Sequence, residues 1–174
     1  MADLAAFANI ETVRSYFQSV ERLDGVALQS LTAEAKPSVD NFMALWESDG
    51  GQLTISGPGP IGVKTYKGHE EIEGFYSKKA EGFGGLITAT AKAVSGVNVP
   101  ADNQAVVTGT RTVVTPEGEG MEISFTHSFH FNEDRKIRAL HIHIGDPRNS
   151  PTVPAGKLKI EDMGKLASVA WMVA

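Results

Sequence analysis

Two periodicities divide the chain. In the first half apolar residues recur at helical spacing, and from Leu86 onward they alternate with polar ones. Ile10, Val13, Phe17, Val20 and Leu23, with Tyr16 beside them, predict an amphipathic helix over 10–23. Asp24-Gly25 is expected to bend or end it, with a second helical piece running to about residue 35. Pro37 is placed to start a further helix carrying Val39, Phe42, Met43, Leu45 and Trp46. A short strand over 52–56 then runs into Gly57-Pro58-Gly59-Pro60. Gly68 precedes a helix with Glu70 and Glu71 in its first turn and Lys78 and Lys79 in its last, an order that complements the helix dipole. Its buried face is marked by Ile72, Phe75 and Tyr76.

The alternating half predicts strands near 86–97, 104–115, 121–131 and 136–144, joined by short turns. Helices followed by such a meander are an α+β plan, with helices on one face of a curved, mostly antiparallel sheet. The most telling stretch is 121–145. Ile123, Phe125, His127, Phe129 and Phe131 share one face of a strand, and Ser124, Thr126, Ser128 and His130 share the other. The return arm puts Leu140, Ile142 and Ile144 on the first face and His141 and His143 on the second. His127 is thus the single polar residue in an apolar row. It is either a satisfied core histidine or the polar point of an apolar pocket.

The remaining polar residues add less. His130, His141 and His143 fall on the opposite face, where no fourth ligand or nearby carboxylate is evident. They read as an interface or exposed packing, and no metal is expected. Arg111 sits mid-strand, and the register that would turn it to the pocket or to the outer face beside Glu122 is open. A pocket arginine would suggest a carboxylate or enolate ligand.

Composition narrows the function classes. The net charge of -5 leaves no electrostatic footprint for nucleic acid or an anionic membrane. The absence of cysteine excludes disulfides, thiolate metal sites and cysteine nucleophiles. The glycine-proline turn lacks the Lys-Ser/Thr ending of a phosphate loop, and there is no H-E-x-x-H and no dinucleotide fingerprint. No cofactor is expected. The first residues carry an acid and no basic run, and no apolar run approaches membrane-spanning length, so a cytoplasmic protein is expected. After Asp146-Pro147 the chain is expected to become a Pro-rich loop and then a short helix with Ile160, Met163, Ala167, Ala170 and Trp171 on one side. One domain over 1–148 and a C-terminal extension over 149–174 follow. Residues 158–172 are expected to cover the mouth of a pocket or a partner subunit.

Two segments carry a family resemblance. Tyr66-Lys67-Gly68-His69-Glu70-Glu71-Ile72-Glu73-Gly74-Phe75-Tyr76 resembles the G-x-x-x-I-x-x-F-Y helix start of the nuclear transport factor 2-like superfamily, in its SnoaL-like and steroid delta-isomerase-like branches. Thr126-His127-Ser128-Phe129-His130-Phe131-Asn132 resembles the penultimate strand of the steroid isomerases. The match spans about residues 10–145. It implies a cone-shaped α+β barrel whose curved sheet wraps the N-terminal helices, and a homodimer built on the outer face of the sheet. It also implies that Tyr16 and His127 occupy the two oxyanion-donor positions. An oxyanion donor is worth about 3–4 kcal/mol in a transition state. Phe17, Trp46, Phe75, Phe129, Leu140 and Ile142 are expected to line the pocket. The general base of the isomerases, an aspartate before a proline, is absent: Ser56-Gly57-Pro58 stands there. The resemblance implies a small hydrophobic ring molecule as ligand, with cofactor-free isomerisation, cyclisation or dehydration next to a carbonyl. The alternative is a non-catalytic binding or carrier domain.

Overall fold

The computed structural model describes residues 2–58, 61–81, 87–118 and 120–149. In chain order it contains α1 (Ala2–Gln29), α2 (Thr32–Met43), β1 (Gln52–Gly57), β2 (Gly62–Lys67) and α3 (His69–Glu81). These are followed by β3 (Ala89–Asn98), β4 (Gln104–Val114), β5 (Gly120–Phe131) and β6 (Ile137–Asn149). The extension's helix expected over 158–172 lies outside the described residues.

Helix α1 buries Val13, Tyr16, Val20, Leu23 and Ala27 along one stripe. It does not end at Asp24-Gly25 as the sequence suggested, but continues to Gln29, where Ser30 turns the chain at φ 54°. Asp24 is buried and its carboxylate is held by cations from two other elements, so it has no reason to break the helix. A helical glycine costs only about 1 kcal/mol. Helix α2 likewise starts at Thr32, not Pro37, and contains the proline. The core face of Ser38, Val39, Phe42 and Met43 outweighs the backbone hydrogen bond that Pro37 removes.

The six strands form one curved, unclosed sheet in the order β2-β1-β6-β5-β4-β3. The four from β3 to β6 are an antiparallel meander, as the alternation predicts. Strand β1 then joins β6 in parallel, pairing Gln52 with Ala139 and Ser56 with His143. Edge strand β2 has mostly exposed side chains and so no apolar row to betray it. Strand β6 runs through Asp146-Pro147, where a loop was expected, and pairs Pro147 with Ile123. The proline lies beyond the last residue that β1 pairs, so among the described strands β6 has a neighbour on one side only there. Gly109 is required by a close approach of its neighbours. A Cβ at that position would collide with the Ala93 carbonyl and the Phe125 ring.

The helices pack on the concave face of the sheet. The inward rows are Ala105, Val107 and Val113 of β4, Ile123, Phe125, Phe129 and Phe131 of β5, and Leu140, Ile142 and Ile144 of β6.

Candidate functional site

His127 lies in the inward row of β5 and is fully buried, opposite Val107 on one side and Ile142 on the other. Period-two geometry surrounds it with Phe125 and Phe129, whose ring centroids are 4.8 and 6.1 Å away. Helix α1 adds Tyr16 at 5.6 Å and Phe17 at 5.2 Å. Neither ring nitrogen of His127 has a hydrogen-bond partner among the described residues. Burial pushes its pKa well below the usual histidine range, and Lys92, Arg111 and Lys79 push it the same way, so the imidazole is neutral. The Tyr16 hydroxyl is 3.2 Å from that of Tyr76, and burial raises both phenols above their ordinary range. The two residues expected as oxyanion donors are therefore brought together on the concave face, Tyr16 with a hydroxyl partner and His127 with none.

A second polar group lies in the interior. Asp24 of α1 accepts from Arg111 of β4 at 2.6 Å and sits 2.9 Å from the Lys79 ammonium of α3. The Arg111 Nη1 also donates to the Thr90 hydroxyl of β3 at 2.9 Å. Burial alone would raise the Asp24 pKa, but Lys79, Arg111 and Lys92 outweigh it and pull it down to about 2. Burial lowers Lys79 to about 8 in spite of Asp24. The ammonium of half-buried Lys92 stands over the rings of Phe17 and Phe125, at 5.5 and 5.8 Å. Desolvation, then Arg111 and Lys79, hold Lys92 well below the ordinary lysine range.

Arg111 thus faces inward, not outward to Glu122; its cross-strand partner is Ile123, and Glu122 opposes Thr112. Its Nε and Nη2 are buried without hydrogen-bond partners among the described residues. Sequence reasoning missed Asp24, Lys79 and Lys92, although a signal for the first two existed. Asp24 falls at helical spacing among Val20, Leu23 and Ala27, and Lys79 among Ile72, Phe75 and Tyr76.

Between α1 and β3 opens a cleft of about 610 Å³. Its apolar walls include Val13, Phe17 and Leu28 from the helix and Val94 and Val107 from the sheet. Asp24, Thr90 and Lys92 supply polar lining, as do Arg14 and Glu21, both exposed. Among the expected pocket residues, Phe17 lines this cleft. Trp46 borders a separate, more polar depression beside Glu47 and His69. Phe75, Phe129, Leu140 and Ile142 are in the core. Tyr16 and His127 do not line the cleft, but Phe17 borders it and meets both rings.

On the convex face Ser56 Oγ lies 2.7 Å from His141 Nε2 and 2.8 Å from His143 Nδ1. His130 is exposed, opposite Ala139. Among the described residues no three His, Asp or Glu side chains are grouped to hold a metal ion, and no helix is long and apolar enough to cross a membrane.

The sequence matches no protein-family model and no curated protein. Solved structures, in contrast, match it well. A nuclear transport factor 2-like protein of unknown function from Burkholderia pseudomallei is similar with a TM-score of 0.54 at 18% identity, over 78% of this chain and 89% of the other. The epoxide hydrolase/cyclase-like enzyme SalBIII, described with a role in pyran ring formation in the polyether salinomycin, gives a TM-score of 0.56 at 15% identity, over 83% and 95%. A protein from Mycobacterium tuberculosis, solved in complex with estradiol-17beta-hemisuccinate, gives 0.51 at 12% identity, over 78% and 92%. The chain therefore has the nuclear transport factor 2-like fold.

Proposed function

We propose that the protein takes a small, mainly apolar ring molecule into the cleft between α1 and β3. The observation that carries this reading is the cleft itself: about 610 Å³, walled by aliphatic and aromatic side chains and given polar lining by Asp24, Thr90 and Lys92. A site for a small organic molecule has this volume and this mixture, apolar walls with a few polar groups that fix orientation. The steroid ester bound by the mycobacterial structure and the polyether chemistry of SalBIII belong to those proteins; they support the same ligand class here.

The chemistry we propose is proton transfer next to a carbonyl, giving isomerisation, cyclisation or dehydration. The neutral imidazole of His127 has one unpartnered N–H that can donate to a ligand oxygen and one unpartnered nitrogen that can accept a proton, and Phe17 is the side chain that would turn aside to admit the ligand. Tyr16 would act with His127. A second reading, a carrier without turnover, is favoured by two facts: Asp24 is locked by cations, and Tyr16 is already bonded to Tyr76.

The test is binding of the neutral fluorophore N-phenyl-1-naphthylamine to the wild type and to Gly25→Phe. Gly25 borders the cleft, and a Cβ there meets nothing within 4 Å, so a side chain can be introduced at this point to occupy the cleft. Fluorescence enhancement is expected in the wild type and is lost in the variant. Equal enhancement in both would sink the proposal. Turnover of cyclic enones and hydroxy ketones then separates enzyme from carrier.

A further inference from the structure

Among the described residues that line the cleft, Lys92 is the only lysine. It is half-buried on β3 and lies directly opposite inward-facing Arg111, so its side chain rises on the same concave face. Its Nζ stands 5.5 Å from the centre of the Phe17 ring and 5.8 Å from that of Phe125. Phe17 is itself part of the cleft wall. His127 meets the same two rings, at 5.2 and 4.8 Å, so the amine and the imidazole flank one aromatic pair.

The charged and titratable groups around this amine come from four elements. Helix α1 contributes Asp24 and, at its surface, Arg14 and Glu21; α3 contributes Lys79, β4 Arg111 and β5 neutral His127. Asp24 is already shared by Arg111 and Lys79 before Lys92 is counted. The rings and Asp24 favour the charged amine, while desolvation, Arg111 and Lys79 act the other way and prevail, holding its pKa well below the ordinary lysine range. A lysine desolvated in an apolar site beside other cations gives up its proton and becomes a nucleophile. The neutral amine can still donate its N–H bonds to acceptors while its lone pair attacks.

We infer that Lys92 is the reactive amine of this cleft and joins covalently, as an imine, to a ligand that presents an aldehyde or ketone on an apolar ring body. The inference rests on the binding reading above and adds the group that engages the carbonyl. The Nζ lone pair adds to the carbonyl carbon, and the π pair of the C=O bond moves to oxygen and takes up a proton. The carbinolamine so formed loses water to give the C=N bond. Amine and carbonyl thus become imine and water, with no oxidant or reductant consumed. Once protonated, the imine withdraws electrons more strongly than the parent carbonyl and acidifies the C–H beside it, which is the proton transfer proposed above. The ring body lies along Phe17, Leu28 and Val94.

The experiment is reductive trapping of the full chain with 2-naphthaldehyde and cyanoborohydride, the modified site being read by peptide mass spectrometry. Hydride delivered to the imine carbon fixes a naphthylmethyl group on the nitrogen that formed it. An ordinary lysine is neutral in only about one molecule in a thousand near pH 7.5. Lys92 is therefore expected to be trapped at least about tenfold faster than exposed Lys64 in the same tube. That ratio should shrink between about pH 7 and 9, by up to about tenfold per unit, because the ordinary amine gains neutral form and Lys92 has little left to gain. Saturating N-phenyl-1-naphthylamine, or Gly25→Phe, should slow trapping at Lys92 and leave Lys64 unchanged. Trapping of Lys92 no faster than Lys64, or fast trapping that neither the fluorophore nor Gly25→Phe slows, overturns the inference; fluorophore binding by the wild type and its loss in Gly25→Phe then leave the cleft reading standing. A fluorophore that does not bind the wild type overturns the cleft reading and the inference with it.

Discussion

Asp24 and Arg111 are 87 positions apart in the chain and meet at 2.6 Å inside it. The contact ties the C-terminal part of α1 to the second half of β4, and Lys79 brings α3 to the same carboxylate. Asp24→Asn keeps the shape and removes the charge, leaving two buried cations without their shared counter-ion. Breaking a buried pair in this way costs about 3–5 kcal/mol. Urea denaturation should show a loss of that order; a loss under about 1 kcal/mol, the value of a surface pair, would mean that the carboxylate does not hold these elements together.

The same carboxylate sets an acid limit. Its pKa is about 2 in the folded chain against the ordinary aspartate value of 3.8. A depressed acid binds fewer protons folded than unfolded, so its contribution is complete above the unfolded value and disappears as pH falls toward 2. Thermal melts of the wild type should therefore fall across that window, and those of Asp24→Asn should fall less. Parallel curves would argue against an ionised Asp24.

His127 acts in a higher window. Its folded pKa is held well below 6.5, chiefly by desolvation. The unfolded chain takes up a proton that the folded one refuses, so stability declines as pH drops below about 6.5. His127→Phe removes the titration together with two unpartnered nitrogens in an aromatic cluster. We expect it to be more stable than the wild type at pH 7.5, by about 1 kcal/mol or more. Its melting temperature should also be flatter between pH 7.5 and 5. A variant that is less stable at pH 7.5 would indicate that the imidazole has bonding partners in solution.

We further propose that the convex face, with Thr126, Ser128, His130, His141 and His143, forms a homodimer interface. Light scattering at micromolar concentration should give twice the 18.6 kDa chain mass. Ser128, which opposes His141 near the middle of this face, is the place to break it. Ser128→Arg should return the chain to a monomer. A monomeric wild type ends the proposal.

The helical and strand periods carried most of this architecture, and the reasons for the exceptions are local. The alternation around His127 places Phe125, Phe129 and Phe131 inward because each strand residue has only two directions to face. The same parity along Ala105, Val107, Gly109, Arg111 and Val113 would have turned Arg111 inward without knowledge of the register. That Asp24, Lys79 and Lys92 come together was illegible for a related reason, although helical spacing alone places the first two on buried faces. Each is a charge whose stable burial depends on others far away in sequence, and no single window contains the set. The parallel pairing of β1 with β6 is of the same kind, since 52–56 and 139–143 carry no mark of one another.

That pairing has a consequence for how the chain is made. Among the described strands β1 bonds to β2 and β6 alone, and β6 is the last of them. A ribosome releases the helices, the β1–β2 hairpin and then three strands of the meander before the seam between the two parts exists. Until about residue 143 has emerged, that hairpin has only its own two strands, an arrangement marginal in water, and the inner ends of the helices face an incomplete wall. Closure is a long-range event, slow in the way non-local strand pairing is slow. The nascent chain therefore carries uncovered apolar surface through most of its synthesis, the condition under which helper proteins and aggregation compete for a polypeptide.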